Sequence, residues 1–340
     1  MTVGVGWSFI AAALVMAPRP ICAQDSTART ADSSPPRRSG HFHIGLTIHD
    51  YGISFGNAPR VTGIRINVQD ADLERVNGVN VTLWKPRDPI TGTINGIQAG
   101  IVPGSEAVNG IAVGVAGVVT ERRARWVTVG GLGAVSNGTI EGIAVGGLGT
   151  VANRDIRGMA VAGLGTVANR SITGIAIGGL GTVANRDVAG LAVAGLGTVA
   201  NRNITGVGVA GLGLVANGVL RGIGVGGLGT VANGSISGVG IGGLAVVTNG
   251  RLTGLGLAGL AVVADEGVRG MAVAGYSVDT RSIAGLSVSP YNRVRGPQRG
   301  LAIGLYNSAY ELHGIQIGVI NRAKNNNAPF KILPILNVHL

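Results

Sequence analysis

The sequence predicts an all-β chain folded as a repetitive β-solenoid of about seventeen units of 14–18 residues. The first observation is periodicity. Asn137, Asn153, Asn169, Asn185, Asn201, Asn217, Asn233 and Asn249 recur every 16 residues and open eight copies of a unit that reads like NRDIRGMAVAGLGTVA. The second is glycine, which holds the sixth place of every copy from Gly142 to Gly254 and the eleventh from Gly147 to Gly259. The third is a set of large apolar residues at places four, seven, nine, twelve and fifteen, as in Ile156, Met159, Val161, Leu164 and Val167. Sixty-one glycines among 340 residues disfavour helix, because each costs about 1 kcal/mol relative to Ala in a helix interior. Val and Ile in alternation suit strands, and NRD or NGS clusters suit turns.

Each unit then holds two short strands, at places 4–9 and 12–16, separated by a Gly pair or Ala-Gly. One unit cannot bury its own apolar side, whereas stacked copies can. A transmembrane barrel needs strands of about 9–11 residues, too long for this repeat. An open antiparallel meander of the same repeats is the alternative, although open sheets rarely exceed about ten strands. The solenoid has one evident cost: Arg154, Arg170, Arg186 and Arg202 share a place, so their backbones stack about 4.8 Å apart. On this reading places four, seven, nine, twelve and fifteen point inward, and Gly or Ala at places eight and ten leaves a smooth outer face. The Asn137 to Asn249 column becomes a structural ladder of amide hydrogen bonds. Seventeen coils give a length of about 80 Å.

The sixth-place Gly is recognisable at Gly63, Gly78, Gly96 and Gly110 before the regular block and at Gly270, Gly285, Gly300 and Gly314 after it, with Trp126 in that place once. The organisation expected is a signal peptide at 1–23, a disordered tether at 24–40, an N-terminal cap with irregular repeats at 41–136, eight 16-residue repeats at 137–264, irregular repeats at 265–327 and a C-terminal cap at 328–340. The export signal rests on the apolar stretch 7–17 and on Ala23 before a cut at Gln24. A lipid anchor at Cys22 is the competing expectation, but Arg19-Pro20-Ile21 lacks the small residues such an anchor wants. Cleavage after Ala23 leaves no thiol, so disulfides are not the staple of this fold. The stretch QDSTARTADSSPPRRSG has nothing apolar to bury.

Chemical motifs are few. The net charge of +11 is spread as arginines among Gly and Val without stacking aromatics, so nucleic acid is not the expected partner. Gly206, Gly208 and Gly211 satisfy a GxGxxG pattern, but another strand-turn copy follows where a dinucleotide site needs a helix; no cofactor is expected. His41, His43 and His49 are the candidate metal ligands, since HxH on a strand places two imidazoles on one face. No Cys or fourth His accompanies them nearby, so no metal is predicted, and His313 and His339 are remote in sequence. The column Thr150, Thr166, Thr182, Thr198 and Thr230 suggests an ice-ordering row, interrupted at Leu214 and ended at Val246. Arg122, Arg123 and Arg125 beside Trp126 read as a solvated loop. A solenoid hydrolase needs carboxylates on adjacent coils, whereas Asp155 and Asp187 alternate with Ser171 and Asn203.

Residues 300–340, GLAIGLYNSAYELHGIQIGVINRAKNNNAPFKILPILNVHL, resemble the ending of bacterial surface-repeat-containing proteins, in which Gly-aliphatic-x-aliphatic-Gly units followed by Asn recur before a Pro-containing apolar tail. RVTGIRINVQDADLERVNGVNVTLWKP at 60–86 and the central GIAVGGLGTVAN units are similar to the same family. The resemblance implies export and an envelope location and brings no catalytic or ligand residues with it. The expectation is therefore an exported, non-enzymatic envelope scaffold, without a transmembrane helix in the mature chain. Its partner is an envelope component or another copy of itself. The alternatives are an adhesin-like module for glycan or protein ligands and, behind it, the hydrolase.

Overall fold

The computed structural model describes residues 43–339. The predicted signal peptide, the tether and His41 lie outside the described residues. The described chain is an all-β solenoid of about sixteen turns. In each regular coil a long strand spans places four to ten, as in Ile156–Ala162, and a short one spans places thirteen to sixteen, as in Gly165–Ala168. Each strand pairs parallel and in register with its own copy in the coils before and after: Ile156 lies opposite Ile172 and Gly158 opposite Gly174, while Thr150 lies opposite Thr166. The meander is thereby excluded, because its neighbours would run antiparallel. The turns are laddered too, with Leu164 N–H donating to Leu148 O at 2.8 Å and Arg170 N–H to Arg154 O at 3.0 Å. The backbones of the four stacked arginines do align, and their side chains are exposed.

Both ends of the parallel array carry an antiparallel strand. His43–Ile48 lies against Tyr51–Gly56, which joins the array through Gly52 opposite Gly63. Ile332–His339 runs back across the last coil, with His339 opposite Gly314 and Leu336 opposite Ile317. These strands cover edges that would otherwise present unpaired backbone groups.

The sixth-place glycines have a specific cause. Gly174 has φ +119°, and a Cβ built on it would lie 2.1 Å from Gly158 O in the coil before. The chain needs positive φ here and offers no room for a side chain. Trp126 takes the same place at φ 82°.

The interior differs from the predicted one. Place four is buried in every regular copy, as in Ile156, Ile172, Leu220 and Leu252, but places seven, nine, twelve and fifteen face outward. The inner wall is completed by places eight, ten, fourteen and sixteen: Ala160, Ala162, Thr166 and Ala168 in one copy. Strand geometry is the reason. Successive side chains alternate between faces, so place four shares its face with eight and ten, never with seven and nine. Width is the second reason, since Thr166 Oγ1 donates across the lumen to Ile177 O at 3.1 Å and Thr182 Oγ1 to Val193 O at 3.1 Å. A lumen this narrow accepts Ala, Gly and Thr opposite one column of Ile, Val or Leu. The smooth small-residue face is therefore internal.

Volume is exchanged locally within that lumen. Leu214 replaces Thr at place fourteen, and place eight beside it is glycine: a Cβ on Gly208 would lie 2.7 Å from Leu214 Cδ1, and one on Gly224 2.6 Å from Leu214 Cδ2. At both ends the lumen becomes polar. Arg65 is fully buried and pairs with Asp70, donates from Nη1 to Asn80 Oδ1 at 2.9 Å and from Nε to Ala58 O at 3.0 Å. Toward the other end Asn292, Asn307 and Asn321 form an internal amide ladder, with Nδ2–Oδ1 distances of 2.8 and 2.7 Å.

Candidate functional site

Because the bulky apolar columns face outward, each coil has two unlike edges. One edge is the turn at places one to three. There Asn153 Nδ2 donates to Asn137 Oδ1 at 2.9 Å, and the same bond repeats through Asn169, Asn185, Asn201 and Asn217 to Asn233, at distances up to 3.2 Å. Asn137 continues the row by donating to Glu121 Oε2 at 2.8 Å. Asn249 occupies the next exposed position of the column. Each amide uses one donor and one acceptor on its neighbours, which fixes coil register without consuming backbone groups.

The other edge is an apolar rim. The two-residue bend between the strands, places eleven and twelve, projects a leucine from every regular coil and from the coil before them. Leu132, Leu148, Leu164, Leu180, Leu196, Leu212, Leu228, Leu244 and Leu260 are 42–58% exposed. Places seven and nine form one flank of this ridge, and Val at place fifteen forms the other. Through residues 137–264 every residue at places seven, nine, eleven, twelve, thirteen and fifteen is Ile, Val, Leu, Met, Ala or Gly. The rim is the candidate site. Its N–H groups are satisfied from within: Gly163 N–H donates to Gly147 O at 3.0 Å, and Leu164 and Gly165 N–H to Leu148 O at 2.8 and 3.1 Å.

Place five lies on the same outward face as places seven and nine, next to the rim. Arg125, Glu141, Arg157, Arg221, Arg269 and Arg299 belong to this column. Glu141 accepts from Arg125 Nε at 3.0 Å and stands 3.9 Å from Arg157 Nη1. Trp126, at place six, is 68% exposed on the boundary between this row and the apolar flank.

The remaining sequence candidates fall elsewhere. His43 opens the end strand His43–Ile48, and His49 sits in the turn after it at φ 51°. His41 lies outside the described residues, so the HxH pair is not placed. Among the described residues no three His, Cys, Asp or Glu side chains gather as metal ligands do. His313 and His339, distant in sequence, are brought together by the antiparallel return of the last strand, with ring centroids 5.9 Å apart. The threonine column is fully buried, which corrects the ice-ordering row: its hydroxyls bond carbonyls across the lumen and meet no water. Arg122, Arg123 and Arg125 lie in the strand Gly117–Gly130 and not in a loop, with Arg122 Nη1 3.1 Å from Glu106. Gly206, Gly208 and Gly211 belong to a strand and its bend, with no helix following. Asp155 and Asp187 accept from the backbone of the next coil, at Ser171 and Asn203, both at 3.2 Å.

Among the features that escaped sequence reasoning, two lie on the N-terminal coils. Asn77, Asn95 and Asn109 form a second amide ladder at 2.8 and 2.9 Å, hidden because their spacings are 18 and 14 residues. A groove lined by Asp50, Arg60, Thr62, Glu74, Arg75 and Asn77 crosses the N-terminal coils. Its Arg60–Glu74 pair closes at 2.5 Å, and Asp50 and Arg75 are its other charged residues.

No family model, curated protein or solved structure matches the chain. No helix among the described residues is long and apolar enough to cross a membrane.

Proposed function

We propose that the protein is an exported, non-enzymatic scaffold of the bacterial cell envelope, related to the surface-repeat proteins that residues 60–86 and 300–340 resemble. The observation that supports this most is the unbroken parallel ladder. Identical places stay in register from Gly63 to Gly314, and antiparallel strands cover its two ends. Such an array transmits position along its length and repeats the same surface at every step, which is what a scaffold uses. The lumen is filled by side chains, and the Asp155 and Asp187 carboxylates are engaged in holding turns, so the repeated surface itself is the functional element of this reading.

Cell fractionation with protease shaving of intact cells, followed by N-terminal sequencing, tests it. The expected result is envelope-associated protein beginning at Gln24. Uncleaved chain recovered from the cytosol would contradict the proposal.

A further inference from the structure

The rim departs from what a solvated solenoid needs. Along the eight regular coils it presents about 900 Å² of apolar surface, taking 4.8 Å per coil and flanks of about 13 and 10 Å. The largest apolar patch on an ordinary soluble monomer is about 300–600 Å². The leucines point away from the lumen, and about half of each remains exposed, so packing accounts for them only in part. Divergence among the copies is informative here. The exposed fifth place has drifted through Glu141, Arg157, Thr173, Ala189, Thr205, Arg221, Ser237 and Thr253, while the comparably exposed twelfth has stayed Leu from Leu148 to Leu260. Something outside the lumen holds that place apolar.

We propose that the rim lies in the hydrocarbon of one leaflet of an anionic phospholipid membrane, with the stack of coils running along the membrane plane. The inference goes beyond the scaffold reading and stands without it. Four properties favour lipid. First, hydrocarbon penalises unpaired backbone donors, and every N–H of the rim bend donates to the preceding coil. Second, the apolar flank from place seven to place eleven is about 13 Å deep at about 3.3 Å per residue, against about 15 Å for half the hydrocarbon core. Third, the polar margins are basic. On one flank the fifth-place column carries Arg125 and Arg157 paired with Glu141 and Asp155, then Arg221, Arg269 and Arg299 with no carboxylate in the column beside them, and Trp126 stands at the boundary where membrane proteins place interfacial tryptophan. On the other flank the Asn ladder follows the Val column, and the stacked Arg154, Arg170, Arg186 and Arg202 follow it. Anionic headgroups offset the mutual repulsion of that stack. Fourth, the rim is a ridge. A second copy laid on one flank leaves the leucine tip and the other flank in water, whereas a leaflet covers all three.

The test uses the full chain with Cys22→Ser, carrying an environment-sensitive fluorophore at Leu180→Cys on the rim or Arg186→Cys on the polar edge. The probe membrane is vesicles of phosphatidylcholine with about one quarter phosphatidylglycerol, with or without a lipid bearing a nitroxide on its acyl chain. The expected result is that the label at 180 shifts to the blue and is quenched by the nitroxide lipid, while the label at 186 is not. The triple variant Leu164→Ser, Leu180→Ser, Leu196→Ser, which stacks no like charges, stays folded with a melting midpoint within a few degrees of the parent and loses at least about tenfold in vesicle partitioning. Parent and variant share the same N-terminal segment, so the difference reads the rim alone. An unquenched label at 180 on vesicle-bound protein overturns the inference, as does failure of the parent to bind. So does shielding of 180 without lipid: concentration-dependent shielding assigns the rim to a second copy, and shielding abolished by removing residues 1–42 assigns it to the chain itself.

Discussion

The two edges of a coil repeat with equal fidelity for different physical reasons. At the polar edge the repeated residue is bonded to its own copies: Asn169 donates to Asn153 and accepts from Asn185. Its repetition is explained inside the molecule. At the rim Leu164 and Leu180 bond to their neighbours only through the backbone, which any residue but proline supplies. Their side chains are about half exposed, so the fold explains their repetition only in part and the remainder points to what lies outside. A repeated exposed residue is thus informative in proportion to how little the fold needs it.

The comparison is broken most severely at the sixth place, where the polar face gives way to the apolar flank. Gly174→Val is expected to cost more than about 3 kcal/mol, combining a positive-φ penalty of about 1–3 kcal/mol with a clash against Gly158 O. Urea unfolding measures it, and stability within about 0.5 kcal/mol of the parent would show that the corner is not fixed by this glycine. Next is the lumen that both edges share. Thr182→Val leaves the buried Val193 carbonyl without its hydroxyl donor and is expected to lower stability by about 1–3 kcal/mol. A neutral result would mean that the carbonyl needs no such partner. At the polar edge Asn185→Ala removes two amide bonds and should cost about 1–2 kcal/mol without altering lipid partitioning. At the rim Leu180→Ser should lower stability by no more than about 1 kcal/mol while weakening partitioning. If the last two variants exchange their effects, the contrast between the edges fails.

The sequence carried the architecture because a period of 16 residues admits few all-β solutions, and Gly at places six and eleven excluded helix. It misassigned the interior because hydrophobicity was weighed above parity. Ile156 and Val161 are both large and apolar, yet an odd spacing along one strand puts them on opposite faces. The corrective signal was present: Ala160, Ala162, Thr166 and Ala168 share parity with Ile156, and Leu214 appears at place fourteen where place eight turns to glycine at Gly208 and Gly224. The rim followed from the same parity and was hidden by the same misassignment. The Arg65–Asp70–Asn80 cluster and the meeting of His313 with His339 were not legible, because both arise from stacking and strand return where spacing departs from 16.

The outward orientation of the rim is the claim on which the contrast between the edges and the membrane inference depend, and thiol accessibility reads it directly. With Cys22→Ser, a cysteine replacing Leu180 should react in water at nearly the rate of a free thiol, whereas one replacing Thr182, two residues away on the lumen face, should react only as fast as the chain unfolds. Protection at 180 with fast labelling at 182 would turn the coil inside out and contradict the account.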